Sequence, residues 1–287
     1  MMAPTLDSLA RASGRFLMVA MDQRESLRQM VTTATGRRAE DERLVHFKLT
    51  VASEVGRHAS GFLIDRDFGF DRVAAEGLLP SDCGLIVAAD RLTQPSDGPV
   101  EDTDLDEYVD LHQARNAGAV AAKLLVIWRE DSDRDRLVEM SAKFVRRCAD
   151  AGLLSVLEGV AKGGSDLIRE AARELAAVGP SLYKAQVPLA GRGGLDRLTE
   201  ECAALNAEIP VPWVVLSQGV ERADFPTAVR AACQAGASGT LAGRAIWSDL
   251  VGADPDSLAE LLRSRSVPRL QQLASIVDTY GRSWEQR

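Results

Sequence analysis

Val120-Ala-Ala-Lys-Leu-Leu-Val-Ile-Trp128 is apolar at every position except Lys123, with no alternation of polar and apolar residues. A strand of this kind is buried on both faces, which marks a parallel sheet covered by helices. Seven further short runs share the character. Phe16-Leu-Met-Val-Ala-Met-Asp22, Gly61-Phe-Leu-Ile-Asp65 and Gly84-Leu-Ile-Val-Ala-Ala-Asp90 precede it. Leu153-Leu-Ser-Val-Leu-Glu158, Leu182-Tyr-Lys-Ala-Gln-Val187, Trp213-Val-Val-Leu-Ser217 and Gly239-Thr-Leu-Ala-Gly243 follow.

The segments between the runs carry helix signals. Glu170-Ala-Ala-Arg-Glu-Leu-Ala-Ala177 is alanine-rich, and the stretch from Arg134 to Arg147 places apolar residues at three- to four-residue spacing. From Asp22 to Arg244 the repeat advances by about 32 residues a step, the size of one strand–helix unit. Eight such units predict an α/β chain folded as a single (β/α)8 TIM barrel, one domain over residues 1–287. An open doubly wound sheet is the alternative, and no GxGxxG follows the first run. The polar stretch from Gln94 to Asp106 reads as a long loop after the third strand. Gly191-Arg-Gly-Gly194 reads as a flexible loop after the sixth; neither is a domain boundary.

The 287 residues are 46% hydrophobic and carry a formal net charge of −8. That balance argues against nucleic acid, which needs clustered excess Lys and Arg, while leaving room for a small anion in a local basic pocket. Cys83, Cys148, Cys202 and Cys233 are scattered and read as buried free thiols of a cytoplasmic protein. The N-terminal residues lack the pattern of a signal peptide, and no apolar run approaches the roughly 20 residues that cross a bilayer. No membrane association is expected.

In a barrel the reacting groups sit at the C-terminal ends of strands. Those ends are polar here: Asp22-Gln23-Arg24 after the first, Asp65, Asp90, Lys123 within the fourth, Glu158, and Lys184 within the sixth, in Ser181-Leu-Tyr-Lys-Ala-Gln-Val-Pro188. A desolvated lysine facing the barrel centre offers a neutral amine for Schiff-base chemistry; a salt-bridged structural lysine is the other reading. The whole set of charges could likewise be a buried ion network. Ser217, Gln218, Gly219, Gly243 and Arg244 follow the last two strands, where barrels commonly bind phosphate; tight strand-to-helix turns would also use these glycines. Lys48, Arg66 and Arg129 are secondary cation candidates near the rim, for each of which a solvated surface role competes. His46, His58 and His112 fall away from the strand ends, so no metal and no cofactor is expected.

These segments resemble the class I, Schiff-base aldolases of the tagatose-1,6-bisphosphate aldolase type. Within that group the nearer match is to sulfofructosephosphate aldolases of sulfoquinovose breakdown. The resemblance runs from Arg11 to Glu25, through Lys123–Arg129, Leu182–Leu189, Pro212–Val220 and Leu241–Trp247, to Pro268–Leu273. It implies that Lys184 forms an imine with a ketose. Glu158 would then transfer protons, Lys123 hold charge beside them and Asp22 orient Lys184 and the substrate hydroxyls. Gln23, Arg24, Ser217, Gln218, Gly219, Gly243 and Arg244 would bind substrate. The implied substrate is 6-deoxy-6-sulfofructose 1-phosphate, cleaved to dihydroxyacetone phosphate and 3-sulfolactaldehyde; tagatose or fructose 1,6-bisphosphate is the alternative. A sugar-phosphate sensor without catalysis is the reading from another class. A homo-oligomer is expected. Gly159 departs from the sulfosugar enzymes, which carry proline after the glutamate, and Gln218 stands where the family often has a small residue.

Overall fold

All eight runs are strands, and they close on themselves. The computed structural model describes residues 3–95 and 98–286. The strands are β1 (Phe16–Met21), β2 (Gly61–Ile64), β3 (Gly84–Ala88), β4 (Ala119–Trp128), β5 (Leu154–Ala161), β6 (Leu182–Ala185), β7 (Trp213–Val215) and β8 (Gly239–Ala242). Every neighbouring pair is parallel, and β8 pairs β1 to complete a (β/α)8 TIM barrel.

Helices α1 (Glu25–Thr35), α2 (Asp41–Val55), α3 (Phe70–Ala75), α4 (Leu111–Asn116) and α5 (Arg134–Asp150) flank the first half. Helices α6 (Ser165–Ala176), α7 (Leu195–Glu208), α8 (Phe225–Gln234), α9 (Arg244–Trp247), α10 (Pro255–Leu261) and α11 (Val267–Tyr280) complete the ring. Helix α5 shows why these sequences fold as they do. Its Asp133 cap accepts the Arg136 N–H at 3.1 Å, and Leu137, Met140, Phe144 and Cys148 form one buried stripe toward the strands.

Period-two alternation divides each strand between two cores. Outward positions such as Leu17, Val19, Leu124, Val126 and Trp128 pack under the helices. Inward positions, among them Phe16, Met18, Leu63, Ile86, Val156 and Leu241, fill the barrel floor with Leu6 and Leu9 of an N-terminal 3₁₀ turn. A third, smaller apolar group lies above that floor: Leu125, Ile127, Val160 and Leu216, with Leu92 and Val100 against them.

One expectation needs correcting. The polar stretch 94–106 is not a loop throughout, since Asp102–Leu105 is a strand that pairs antiparallel with Asp90–Thr93. Its alternation is real but only four residues long, with Thr103 and Leu105 buried while Asp102 and Asp104 turn toward Arg136 and Arg91. Ser96 and Asp97 lie outside the described residues. The four cysteines are free and buried, and burial pushes each thiol up to about 12. Among the described residues no helix is long and apolar enough to cross a membrane.

Candidate active site

The inward columns of β4, β5 and β6 bring the chemistry together. Lys123 follows Ala121 on the inner face of β4, Glu158 follows Val156 on β5, and Lys184 follows Leu182 on β6. Glu158 and Lys184 are register partners, and the Lys184 Nζ lies 2.9 Å from Glu158 Oε2. Glu158 does not end its strand, as the apolar run suggested; β5 continues to Ala161. The ion pair therefore sits below the barrel mouth, with Leu125, Ile127 and Val160 lining the wall above it.

Lys123 is the hub. Its Nζ lies 2.5 Å from Asp22 Oδ2, 2.6 Å from Asp90 Oδ2 and 3.5 Å from Glu158 Oε2. Desolvation works against the ammonium, but attraction to Asp22, Asp90 and Glu158 overcomes it and raises the Lys123 pKa above the ordinary lysine value. Burial on its own would raise Asp22 as well. Lys123 first and then Lys184 outweigh that, holding the Asp22 carboxyl well below the usual carboxylate range. Asp90 Oδ2 also accepts the Leu125 N–H at 3.1 Å, which fixes the carboxylate against β4.

Arg24 is turned to the same end. Its Nη1 donates to the Asp90 carbonyl at 2.8 Å, Nη2 lies 3.4 Å from Asp90 Oδ1, and Nε is 3.5 Å from Asp67. This guanidinium braces Asp90 rather than lining the cavity. Lys48, a rim candidate in the sequence, is fully buried; it pairs with Asp65 and donates to the Met21 carbonyl at 2.9 Å. Its position on the inner face of α2 carries it under the barrel end. Arg66 is half-buried and donates to the Tyr108 carbonyl at 3.0 Å.

A cavity of about 750 Å³ opens over these groups, and Asp22, Gln23, Lys123, Glu158, Lys184 and Arg244 all line it. Gln218 also lines it, whereas Ser217, Gly219 and Gly243 build the turns behind. Ser217 Oγ accepts the Gly243 N–H at 3.3 Å, tying the β7 and β8 turns together and leaving the hydroxyl proton for a ligand. Gly219 has φ +79°, a left-handed conformation that suits glycine. A Cβ on Gly243 would meet the Ala20 carbonyl at 2.9 Å, so this turn also needs a glycine. Burial lowers the Arg244 pKa, and the attraction of Glu158 and Asp22 only partly offsets it. Its guanidinium is thus a desolvated cation facing open space. The histidines lie on α2, in a 3₁₀ turn and on α4, none of them against this cavity.

Residues 16–249 match the model of the DeoC/LacD family aldolases. The chain belongs to that family. It is similar to the tagatose 1,6-diphosphate aldolase of Listeria monocytogenes serotype 4b, at 25% identity over 97% of this chain and 92% of the relative. The tagatose 1,6-diphosphate aldolase of Staphylococcus aureus strain MW2 is 23% identical, covering 99% and 97%. Among solved structures, the fructose-bisphosphate aldolase of Plasmodium falciparum superposes with a TM-score of 0.74 at 13% identity, over 98% of this chain and 94% of that one. An archaeal fructose 1,6-bisphosphate aldolase gives 0.61 at 16% identity, over 94% and 96%. At those identities the structural likeness is one of fold. Membership of the DeoC/LacD family makes the protein an aldolase, a carbon–carbon lyase.

Two residues at the site had no assigned role in the sequence reading. Asp90 was visible only as a polar strand end; its partnership with Lys123 depends on β3 and β4 being neighbours, which β4 pairing makes evident. Lys162, which lines the cavity mouth, follows directly after β5 in Ala161-Lys162-Gly163-Gly164. Its signal was parity: it stands four residues beyond Glu158 and so shares its inward column.

Proposed function

We propose that the protein is a metal-independent class I aldolase in which Lys184 forms a Schiff base with a ketose 1-phosphate. The observation that supports this is the 2.9 Å contact between the Lys184 amine and Glu158, recessed in a cavity beside an ammonium already neutralised by carboxylates. Lys184 Nζ adds to the C2 carbonyl, and Glu158 relays the protons that convert the carbinolamine to a protonated imine and water. Glu158 then takes the proton of the C4 hydroxyl. The C3–C4 electron pair moves into the imine, the aldehyde leaves, and an enamine remains on Lys184. Protonation at C3 and hydrolysis release dihydroxyacetone phosphate and regenerate the amine.

Lys123 keeps its charge throughout, so it stabilises developing negative charge on substrate oxygens without exchanging a proton. Asp22 stays ionised and accepts from substrate hydroxyls. Arg244, Ser217 and the Gly219 and Gly243 turns receive the phosphate at C1, with Gln23 and Gln218 beside them.

The far end of the sugar is read as a sulfonate, making the substrate 6-deoxy-6-sulfofructose 1-phosphate and the second product 3-sulfolactaldehyde. The wall above the reacting pair is hydrocarbon. A singly charged sulfonate loses less on approaching such a wall than a phosphate carrying nearly two charges. The names of the curated relatives favour a second reading, cleavage of tagatose or fructose 1,6-bisphosphate. Steady-state kinetics with all three ketoses decides between them: a kcat/KM at least tenfold higher for the sulfonate supports the first reading. Equal or better turnover of either bisphosphate overturns it.

A further inference from the structure

Two cations that line the cavity, Lys162 and Arg244, have no salt-bridged carboxylate, and Arg129 lies near enough to Lys162 to repel it. Among the described residues, Arg129, Lys162 and Arg244 make no ion pair, whereas every other lysine or arginine that lines the cavity is salt-bridged. Arg244 belongs to the β7–β8 side of the site. Lys162 and Arg129 do not; they continue the inward columns of β5 and β4, past Val160 and Ile127.

The two columns give the distances. From Glu158 to Lys162 is four residues, about 13 Å along a strand. A lysine side chain is roughly half that long, so the Lys162 ammonium is able to stand about a triose length above the Lys184–Glu158 pair. On the β4–β5 wall between them, Leu125, Ile127 and Val160 offer no charge. A substrate anchored at C1 by Arg244 and at C2 by Lys184 extends its remaining carbons up this wall. The first cation it meets on the β5 side is Lys162.

We infer that Lys162, with Arg129 behind it, is the clamp for the second anionic group of the substrate and sets the preference for ketose phosphates charged at both ends. The inference rests on the aldolase reading. Lys162 is exposed at the mouth and has no structural partner to satisfy, so its charge is available to a ligand. Partial burial, and then repulsion from Arg129 and Arg244, lowers its pKa, as expected where positive charges gather. An arriving anion would relieve that repulsion. Arg129 is half-buried, and its backbone N–H is held by Ser132 Oγ at 2.8 Å, which fixes the turn that presents it.

The test compares Lys162→Met with the wild type on two substrates that differ only at the far end. One is whichever of 6-deoxy-6-sulfofructose 1-phosphate and fructose 1,6-bisphosphate wild-type protein turns over better; the other is fructose 1-phosphate, uncharged at C6. Loss of one charge-assisted contact is expected to lower kcat/KM on the first by about ten- to a hundredfold. It should leave fructose 1-phosphate within about twofold, and Lys162→Arg should recover most of the loss. Borohydride trapping with dihydroxyacetone phosphate, which has no far end, should proceed as in the wild type. Equal losses on both substrates, or no loss on either, overturn the assignment while the aldolase stands. Wild-type protein that cleaves none of the ketose phosphates and traps no dihydroxyacetone phosphate overturns the aldolase reading and the clamp with it.

Discussion

Replacing Lys123 with methionine keeps most of the side-chain volume and removes one charge from the centre of the barrel. Lys123 is 1% exposed and holds Asp22 and Asp90 at 2.5 and 2.6 Å, with Glu158 at 3.5 Å. Lys184 still faces Glu158 in the variant and Arg24 still braces Asp90, so Asp22 is the carboxylate left with least compensation. Removing one partner of a buried ion pair costs about 3–5 kcal/mol, a large part of the 5–15 kcal/mol that holds a typical domain together. At about 2 °C per kcal/mol for a chain of this size, the melting temperature should fall by about 6–10 °C near pH 7.5.

The pH dependence carries the sharper test. In the wild type the Asp22 pKa is depressed in the folded state, so its contribution is present above the unfolded value of 3.8 and is lost only as pH falls below it. Without Lys123 the leading lowering influence is gone and burial pushes the carboxyl the other way. A raised folded pKa means proton uptake stabilises the variant as pH falls toward it. The stability gap between the two proteins should therefore narrow from pH 8 to pH 5. Urea melts at unit steps across that range measure it, and Lys123→Met with Asp22→Asn should regain part of the loss. A variant within about 1 kcal/mol of wild type at pH 7.5, or a gap that stays constant to pH 5, would refute the picture of Lys123 as the electrostatic hub.

Two further predictions follow from the same geometry. Glu158→Gln keeps shape but cannot accept a proton, so kcat should fall by about 10²–10⁴-fold with KM changed only a few-fold; a loss under tenfold would remove Glu158 from proton transfer. A Cβ at position 159 would lie 2.1 Å from the buried Tyr183 hydroxyl, so Gly159→Ala should cost about 1–3 kcal/mol in a thermal or urea melt. Adding Tyr183→Phe should return most of it, and failure to do so would show that the clash lies elsewhere.

The barrel was legible because its strands are short, continuous and apolar, and nothing but burial on both faces explains a stretch like Leu124–Trp128. The hairpin escaped because four residues alternating Asp102-Thr103-Asp104-Leu105 look like a polar loop when only their charge is counted. Lys184, Glu158, Lys123 and Asp22 were visible as charges in apolar runs, since an unpaired charge has no place in a barrel interior. Which charge pairs with which was not visible. That depends on strand neighbours and register, as with Asp90 reaching Lys123 and Arg24 reaching back to Asp90. Lys48 shows the limit from the other side: at the sequence level it resembles any helix lysine, and only the packing of α2 against the β1 and β2 ends buries it on Asp65.

The central claim is that Lys184 is the covalent residue. Incubation with dihydroxyacetone phosphate and sodium borohydride, followed by peptide mass spectrometry, tests it most directly. The account predicts one reduced adduct, located on Lys184, formed equally in EDTA and absent from Lys184→Met. No adduct on the wild type, or an adduct that persists on another lysine in Lys184→Met, would contradict it.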